Sequence, residues 1–187
     1  MNRDLNLTQK TGFKVNNPTV PINIRDSRGI LFYTTEPLLP RVSTFNLPAG
    51  KYVVDSGYFS PMSVPVKYNM LRLPLMAQRK LPDPFDFSVT FEPNKHKCTV
   101  NFIKKQIIFD TSFKERPLPE IYFILFHEFA HQYFKTEKWC DVLAANYMLV
   151  KGFNPSQISE AQIKSLSTRQ YNRKCVVTKR MIESNAQ

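Results

Sequence analysis

Two histidines stand four residues apart in the segment His127-Glu-Phe-Ala-His131. On a helix, side chains four positions apart lie on one face about one turn from each other, which is the arrangement that two ligands of a zinc ion need. Glu128 lies one position off that face, where a carboxylate can serve as a general base without binding the ion. The pattern therefore predicts a zinc site with His127 and His131 as ligands and Glu128 as the catalytic base.

A catalytic zinc ion needs a third protein ligand and an open fourth position. The segment Thr136-Glu-Lys-Trp-Cys-Asp141 follows, and its two carboxylates, Glu137 and Asp141, are four apart and share a helix face. Cys140, next to Asp141, is a soft alternative ligand, although a small buried thiol is the commoner role of such a residue. The residues alone leave the third ligand open.

The helices that must hold these side chains are indicated by their end signals. Pro119 suits a first helical turn and Glu120 suits a helix N-terminus, so we expect a helix over 119–134. Apolar residues occur on nearly every face of this helix, which is typical of a buried helix. A second helix is predicted from Thr136 as N-cap to a stop at Gly152. A third is predicted from 154–156 onward, and a basic fourth over 169–183.

The chain before these helices favours strands. Apolar residues alternate over 85–91, and further strand-like runs lie at 98–102 and 106–109, so we expect a short antiparallel β-meander. Eleven of the 14 prolines precede residue 94, which excludes long helices there. Short strands are expected at 30–34 and 51–54. The predicted fold class is α+β: a β-rich, proline-punctuated arm or small module over 1–80, then the meander and a helical, zincin-like core within a second domain over 81–187.

Charge and composition limit the partners. The 26 Lys and Arg residues against 15 Asp and Glu give a net charge of +11, which attracts an acidic neighbour or nucleic acid. No recognition signature for nucleic acid accompanies that charge. Three cysteines without a CxxC spacing argue against a disulfide framework. The first residues contain no apolar run like that of a signal peptide, and the longest apolar run, 121–126, is too short to cross a bilayer, so we expect a soluble protein.

The motif and its flanks resemble a known clan. His-Glu-x-x-His followed by Glu-x-x-x-Asp is similar to the pattern of the gluzincin zinc metallopeptidases, and the likeness covers about residues 85–155. The resemblance implies that Glu137 is the third zinc ligand and that Asp141 accepts the outer N–H of His127. It also implies a group that stabilises the oxyanion from outside the motif. Tyr147, Tyr171 and Arg169 are the candidates for that group, while His96 is expected to be an exposed loop residue.

The spacing within the motif departs from that of the large gluzincins. Only five residues separate His131 from Glu137. Metzincins place a third histidine at this distance, but Phe134 stands here at the position of their turn-forming glycine, so the gluzincin interpretation is favoured. The short connection keeps Asp141 as an alternative ligand to Glu137.

The amino-acid sequence of three segments is similar to that of small metallopeptidase-like proteins encoded by tailed phages of Bacteroidetes, including crAss-like phages. These segments are 117–131, 136–141 and 152–157. This resemblance implies a structural or assembly protein of the virion, as a tail or connector ring component. Its partners would be other virion proteins and further copies of the chain, and it would be made in the host cytoplasm. The alternative is a soluble, cytoplasmic zinc endopeptidase that uses Glu128 as its general base.

Overall fold

The computed structural model describes residues 2–15, 21–34, 43–55, 59–74, 87–165, 176–177 and 180–181, and these form the predicted α+β fold. The strands are β1 (Arg3–Leu7), β2 (Thr11–Val15), β3 (Asn23–Asp26), β4 (Leu31–Thr34), β5 (Ser43–Leu47), β6 (Gly50–Val54), β7 (Phe59–Pro61), β8 (Ser88–Glu92), β9 (Cys98–Asn101) and β10 (Gln106–Asp110). A short 3-10 helix (Thr111–Glu115) leads into α1 (Leu118–Ala130), α2 (Glu137–Lys151) and α3 (Pro155–Ser165). Among the described residues, no helix is long and apolar enough to cross a membrane.

The proline-punctuated first part is β-rich, as predicted. It forms two antiparallel sheets with strand orders β1-β6-β3-β4 and β5-β2-β7. On β2, Phe13 and Val15 are buried while Lys14 between them is exposed, which is the period of a strand with one covered face. Phe13 stacks on its register partner Phe45 with ring centroids 5.6 Å apart. The strands predicted at 30–34 and 51–54 are β4 and β6.

The third sheet corrects the predicted antiparallel meander. The three expected strands are present, but their order is β8-β10-β9, and β10 pairs parallel with β8 and antiparallel with β9. Ile107 and Phe109 of β10 are fully buried, so the most apolar strand occupies the centre, where neighbours cover it on both sides. Alternation along each strand predicts its exposed and covered faces and carries no information on this order.

The helices follow the predicted signals with one change of length. The first was predicted over 119–134, but α1 ends at Ala130 with His131 as its C-cap, and three-residue turns carry the chain onward. Thr136 is the N-cap of α2, and Gly152 takes the left-handed conformation at its end with φ 108°. At the start of α3, Asn154 Oδ1 accepts from the Gln157 backbone N–H and Gln157 Oε1 accepts from that of Asn154, which is a reciprocal capping box.

One hydrophobic core spans the described residues of both predicted domains. Phe32 of β4 packs on Phe153 after α2, with ring centroids 5.6 Å apart. The buried Asn146 of α2 exchanges two 2.8 Å hydrogen bonds with the backbone N–H and C=O of Leu71. The predicted boundary at residue 80 lies outside the described residues. The β-rich part is therefore attached to the helices by buried apolar and polar contacts.

The predicted fourth helix, 169–183, falls largely outside the described residues. Its described positions include Val177 and Met181, both fully buried against the core, and Arg180, whose guanidinium lies 5.5 Å from the ring centroid of Trp139. The described positions of this segment therefore pack against the rest of the protein.

Candidate metal centre

The three predicted ligands come together at the junction of α1 and α2. Nε2 of His127 lies 3.2 Å from Oε2 of Glu137, and Nε2 of His131 lies 3.6 Å from Oε1 of the same carboxylate. One ligand atom from each of the three residues lies within 4.8 Å of the other two. The two imidazole rings are 5.0 Å apart at their centroids and nearly perpendicular. Both Nε2 atoms therefore point toward one shared carboxylate.

A tight connection between the helices produces this convergence. The backbone N–H groups of Tyr133 and Phe134 donate to the carbonyl of Ala130, at 2.9 and 3.0 Å, and so form a tight turn directly after the first helix. Because α2 starts at Glu137 itself, the first side chain of that helix lies beside the last two turns of α1. The short spacing between His131 and Glu137 is thus enough to bring a carboxylate to the histidines.

Asp141 lies on the opposite side of His127 from Glu137. Its Oδ1 is 2.8 Å from Nδ1 of His127, and its Oδ2 accepts a hydrogen bond from Nε2 of Gln162 on α3 at 3.3 Å. The carboxylate is fully buried, whereas the side chain of Glu137 is 50% exposed. Asp141 is therefore placed behind the ring of His127, and Glu137 is placed on the side to which the ring presents Nε2.

Cys140 lies near Nδ1 of His131, as Asp141 lies near Nδ1 of His127. Its Sγ lies 3.4 Å from Nδ1 of His131 and donates to the carbonyl oxygen of Phe134, also at 3.4 Å. Among the described residues, the group whose ligand atoms converge consists of His127, His131 and Glu137, without Cys140. The thiol thus contacts the back of the site.

Two contacts of the site were not predicted from the sequence: that of Cys140 with His131 and that of Gln162 with Asp141. Glu137, Cys140 and Asp141 are spaced at i, i+3 and i+4, so one face of α2 carries all three, and this spacing could have revealed the contact of Cys140. Gln162 comes from another helix, and no local pattern marks it.

Glu128, the residue predicted as general base, is half-buried and close enough to His127, His131 and Glu137 to feel their charges. Burial raises the pKa of its carboxyl group, and the charge of Glu137 raises it further, while His127 and His131 act in the opposite direction. Such a group keeps a proton more readily than an exposed glutamate, which suits a residue that must take up and release one.

The third sheet, β8-β10-β9, also lies next to Glu128. Burial raises the pKa of Cys98 on β9 to about 12, and the negative charge of Glu128 adds to the effect. Strand β9 packs against α1 and, within the described residues, pairs with β10 alone. One edge of the sheet is therefore close to the candidate base.

The remaining predicted residues are not part of the converging group or lie outside the described residues. His96 is exposed in the loop before β9, as expected. Tyr147 packs on Phe126 and Phe129, with ring centroids 5.2 and 5.9 Å apart. Tyr171 and Arg169, the other candidates for an oxyanion-stabilising group, lie outside the described part of the chain.

The donor set fits a metal ion of the zinc type. Two imidazole nitrogens and one carboxylate oxygen are ordinary zinc ligands. Among the described residues these three converge, and a set of three leaves one tetrahedral position open. Exposure increases across the set, from 11% for the side chain of His127 to 29% for His131 and 50% for Glu137. The cluster is thus anchored in the protein at one end and accessible from solvent at the other.

The chain was also compared with known proteins. No family model, no curated protein and no solved structure matches it.

Proposed function

We propose that this protein binds a zinc ion through His127, His131 and Glu137 and hydrolyses peptide bonds, with Glu128 as the general base. The observation that supports this most directly is the convergence of two Nε2 atoms on the Glu137 carboxylate, with Asp141 behind one of the rings. A site that served only to stabilise the fold would more often be closed by a fourth protein ligand.

The chain's own groups fit the steps of hydrolysis. An ion in this donor set supplies Lewis acidity, which acidifies water and polarises a carbonyl group. The carboxylate of Glu128 takes a proton from the attacking water and passes it to the nitrogen of the leaving amine. Asp141 keeps the proton of His127 on Nδ1, so that Nε2 remains available as a ligand atom. The neighbouring edge strand β9 offers backbone groups to an extended peptide.

The first test is the metal content of the full-length protein, purified without chelators. We expect one zinc ion per chain by elemental mass spectrometry, because the three ligand atoms already lie close together. His131→Ala should lose the ion, since two ligands remain. His96→Ala removes an exposed histidine that is not among the converging ligands, so this matched control should retain the ion. Wild-type protein that is free of metal and takes up none on loading with zinc would exclude the proposal.

A second proposal concerns assembly. We infer that the protein is a structural component of a tailed-phage virion, built on the same metallopeptidase-like core. Besides the resemblance of its motifs, the turn between β9 and β10 supports this. Ile103 is 97% exposed there and Phe102 is 41% exposed, next to the exposed Lys104 and Lys105. An apolar tip beside two lysines suits contact with an acidic protein neighbour.

Sedimentation velocity of the full chain tests this second proposal. In a mixture with acidic virion proteins we expect association at low salt, which weakens as salt rises because screening reduces their attraction to the net charge of +11. Ile103→Ser should weaken association at both salt concentrations, whereas Ile163→Ser, at a half-exposed position on α3, should have less effect. A wild-type chain that stays monomeric and does not sediment with virions would rule out the assembly role.

A further inference from the structure

We propose that copies of this chain bind one another head to tail, with the turn between β9 and β10 of one copy seated in a cleft between β4 and α3 of the next. This inference rests on the proposed assembly role and identifies a partner for it, a second copy of the chain. Two parts of the structure support it: an exposed apolar turn that carries two lysines, and a cleft that contains two carboxylates.

The turn presents an apolar side chain in a fixed shape. Ile103 is 97% exposed and the neighbouring Phe102 is 41% exposed. The backbone N–H of Lys104 donates to Oδ1 of Asn101 at 3.0 Å, and the ring of Phe102 packs edge-on against a neighbouring ring. Because its exposure is nearly complete, Ile103 fills no cavity of its own chain. A turn that is already ordered loses little conformational freedom when it binds.

The cleft is lined by β4, the start of α1 and one face of α3, and its volume is about 570 Å³. Pockets that take up ligands commonly measure about 300–1,000 Å³. Nε2 of Gln157 on α3 donates to the carbonyl oxygen of Phe32 on β4 at 3.2 Å, which ties two of the walls together. Pro117 and Pro119 add rigid apolar surface at the start of α1. The cleft is thus a formed site, and the three candidate metal ligands do not line it.

Two carboxylates of the cleft can receive lysine side chains. The side chain of Glu120 is 9% exposed and that of Glu160 is 66% exposed. Lys164 lies 2.7 Å from Glu160 and 3.6 Å from Glu120. Arg116 lies 3.4 Å from the other oxygen of Glu120. Both contacts of Glu120 are longer than the usual charge-assisted bond of about 2.7–2.9 Å, and a carboxylate offers about four lone-pair positions. An incoming ammonium group therefore finds acceptors at both residues.

The turn and the cleft are complementary in polarity and in charge. Ile103 matches the apolar surface of the cleft, and the exposed Lys104 and Lys105 match its two carboxylates. Copies with a net charge of +11 repel one another at long range, so a contact between them needs a local site of opposite charge. Because the two surfaces are different, each pair of copies leaves one turn and one cleft open. The contact can therefore repeat from copy to copy.

Sedimentation velocity of the full chain in about 150 mM salt, where charges are screened beyond about 8 Å, measures self-association. Ile103→Asp should weaken it at least about tenfold, the effect of a central interface contact, although the change lowers the net charge. Leu31→Lys with Glu160→Lys, at exposed positions of the cleft, should weaken it to a similar extent. The matched controls make the same types of change at exposed positions outside the turn and the cleft, and both should associate like the wild type. They are Val150→Asp for the turn, and Val150→Lys with Glu92→Lys for the cleft.

A mixture of the turn variant and the cleft variant gives the decisive readout. Each variant keeps one intact surface, so the two together should form a dimer that grows no further, while each alone stays monomeric. Loss of association in both variants without a dimer in the mixture would overturn the proposal, since the turn and the cleft would then not meet each other. Wild-type self-association that neither variant weakens would also overturn it and leave the assembly role standing. A wild type that is monomeric at every concentration would overturn it as well, and co-sedimentation with other virion proteins would then decide the assembly role separately.

Discussion

Glu128→Gln is expected to abolish peptide hydrolysis while leaving the metal bound. The amide has nearly the shape of the carboxylate but cannot take a proton from water, so the general base is lost. Positioned general bases commonly contribute about 10²–10⁴-fold, and we expect a fall in kcat/KM of at least about 100-fold. The ligand atoms of the site come from other residues, so the zinc content should match that of the wild type.

A mixture of fluorogenic peptides, assayed beside elemental analysis of the same samples, measures both quantities. Glu115→Gln is the matched control, because it makes the same chemical change at an exposed position in the 3-10 helix. Hydrolysis at the wild-type rate in Glu128→Gln would show that this carboxylate does not act as the base.

The second large effect separates the two carboxylates of α2. Glu137→Ala is expected to remove zinc, because it deletes the one donor that both Nε2 atoms face. Asp141→Asn should retain zinc with about 10–100-fold lower affinity, since the amide still fills the space behind His127 but lacks the charge that favours a proton on Nδ1.

Competition with a zinc-binding dye measures these affinities. Glu160→Ala, at an exposed position on α3, controls for the loss of an acidic side chain and should bind zinc like the wild type. Loss of zinc in Asp141→Asn together with wild-type affinity in Glu137→Ala would reverse the assignment and make Asp141 the ligand.

The candidate site was largely predictable from the sequence because its ligands belong to two adjacent helices. Histidines spaced by four, the cap at Thr136 and the stop at Gly152 are local signals, and the structure confirms both helix ends. His131 was expected inside a longer helix and is the C-cap of α1, yet its backbone keeps right-handed helical angles, so its ring still lies near that of His127.

Contacts between distant parts of the chain were not predictable in this way. Alternating residues indicated strands in the first part, but the packing of Phe32 on Phe153 depends on which surfaces meet in three dimensions. The central position of β10 in its sheet and the hydrogen bond from Gln162 to Asp141 also depend on which surfaces meet in three dimensions. Periodicity identifies which face of an element is covered and leaves open what covers it.

The short connection between α1 and α2 also affects how an ion would contribute to stability. The three candidate ligands, together with Cys140 and Asp141 behind the rings, lie in one continuous stretch from His127 to Asp141, so an ion bound there would close only a small loop of the chain. The same donors stay near one another when the protein unfolds, and any binding by the unfolded chain reduces the stabilisation that the ion provides. Bound metal would therefore stabilise mainly the hairpin of α1 and α2. The attachment of the β-rich part would still depend on the hydrophobic core.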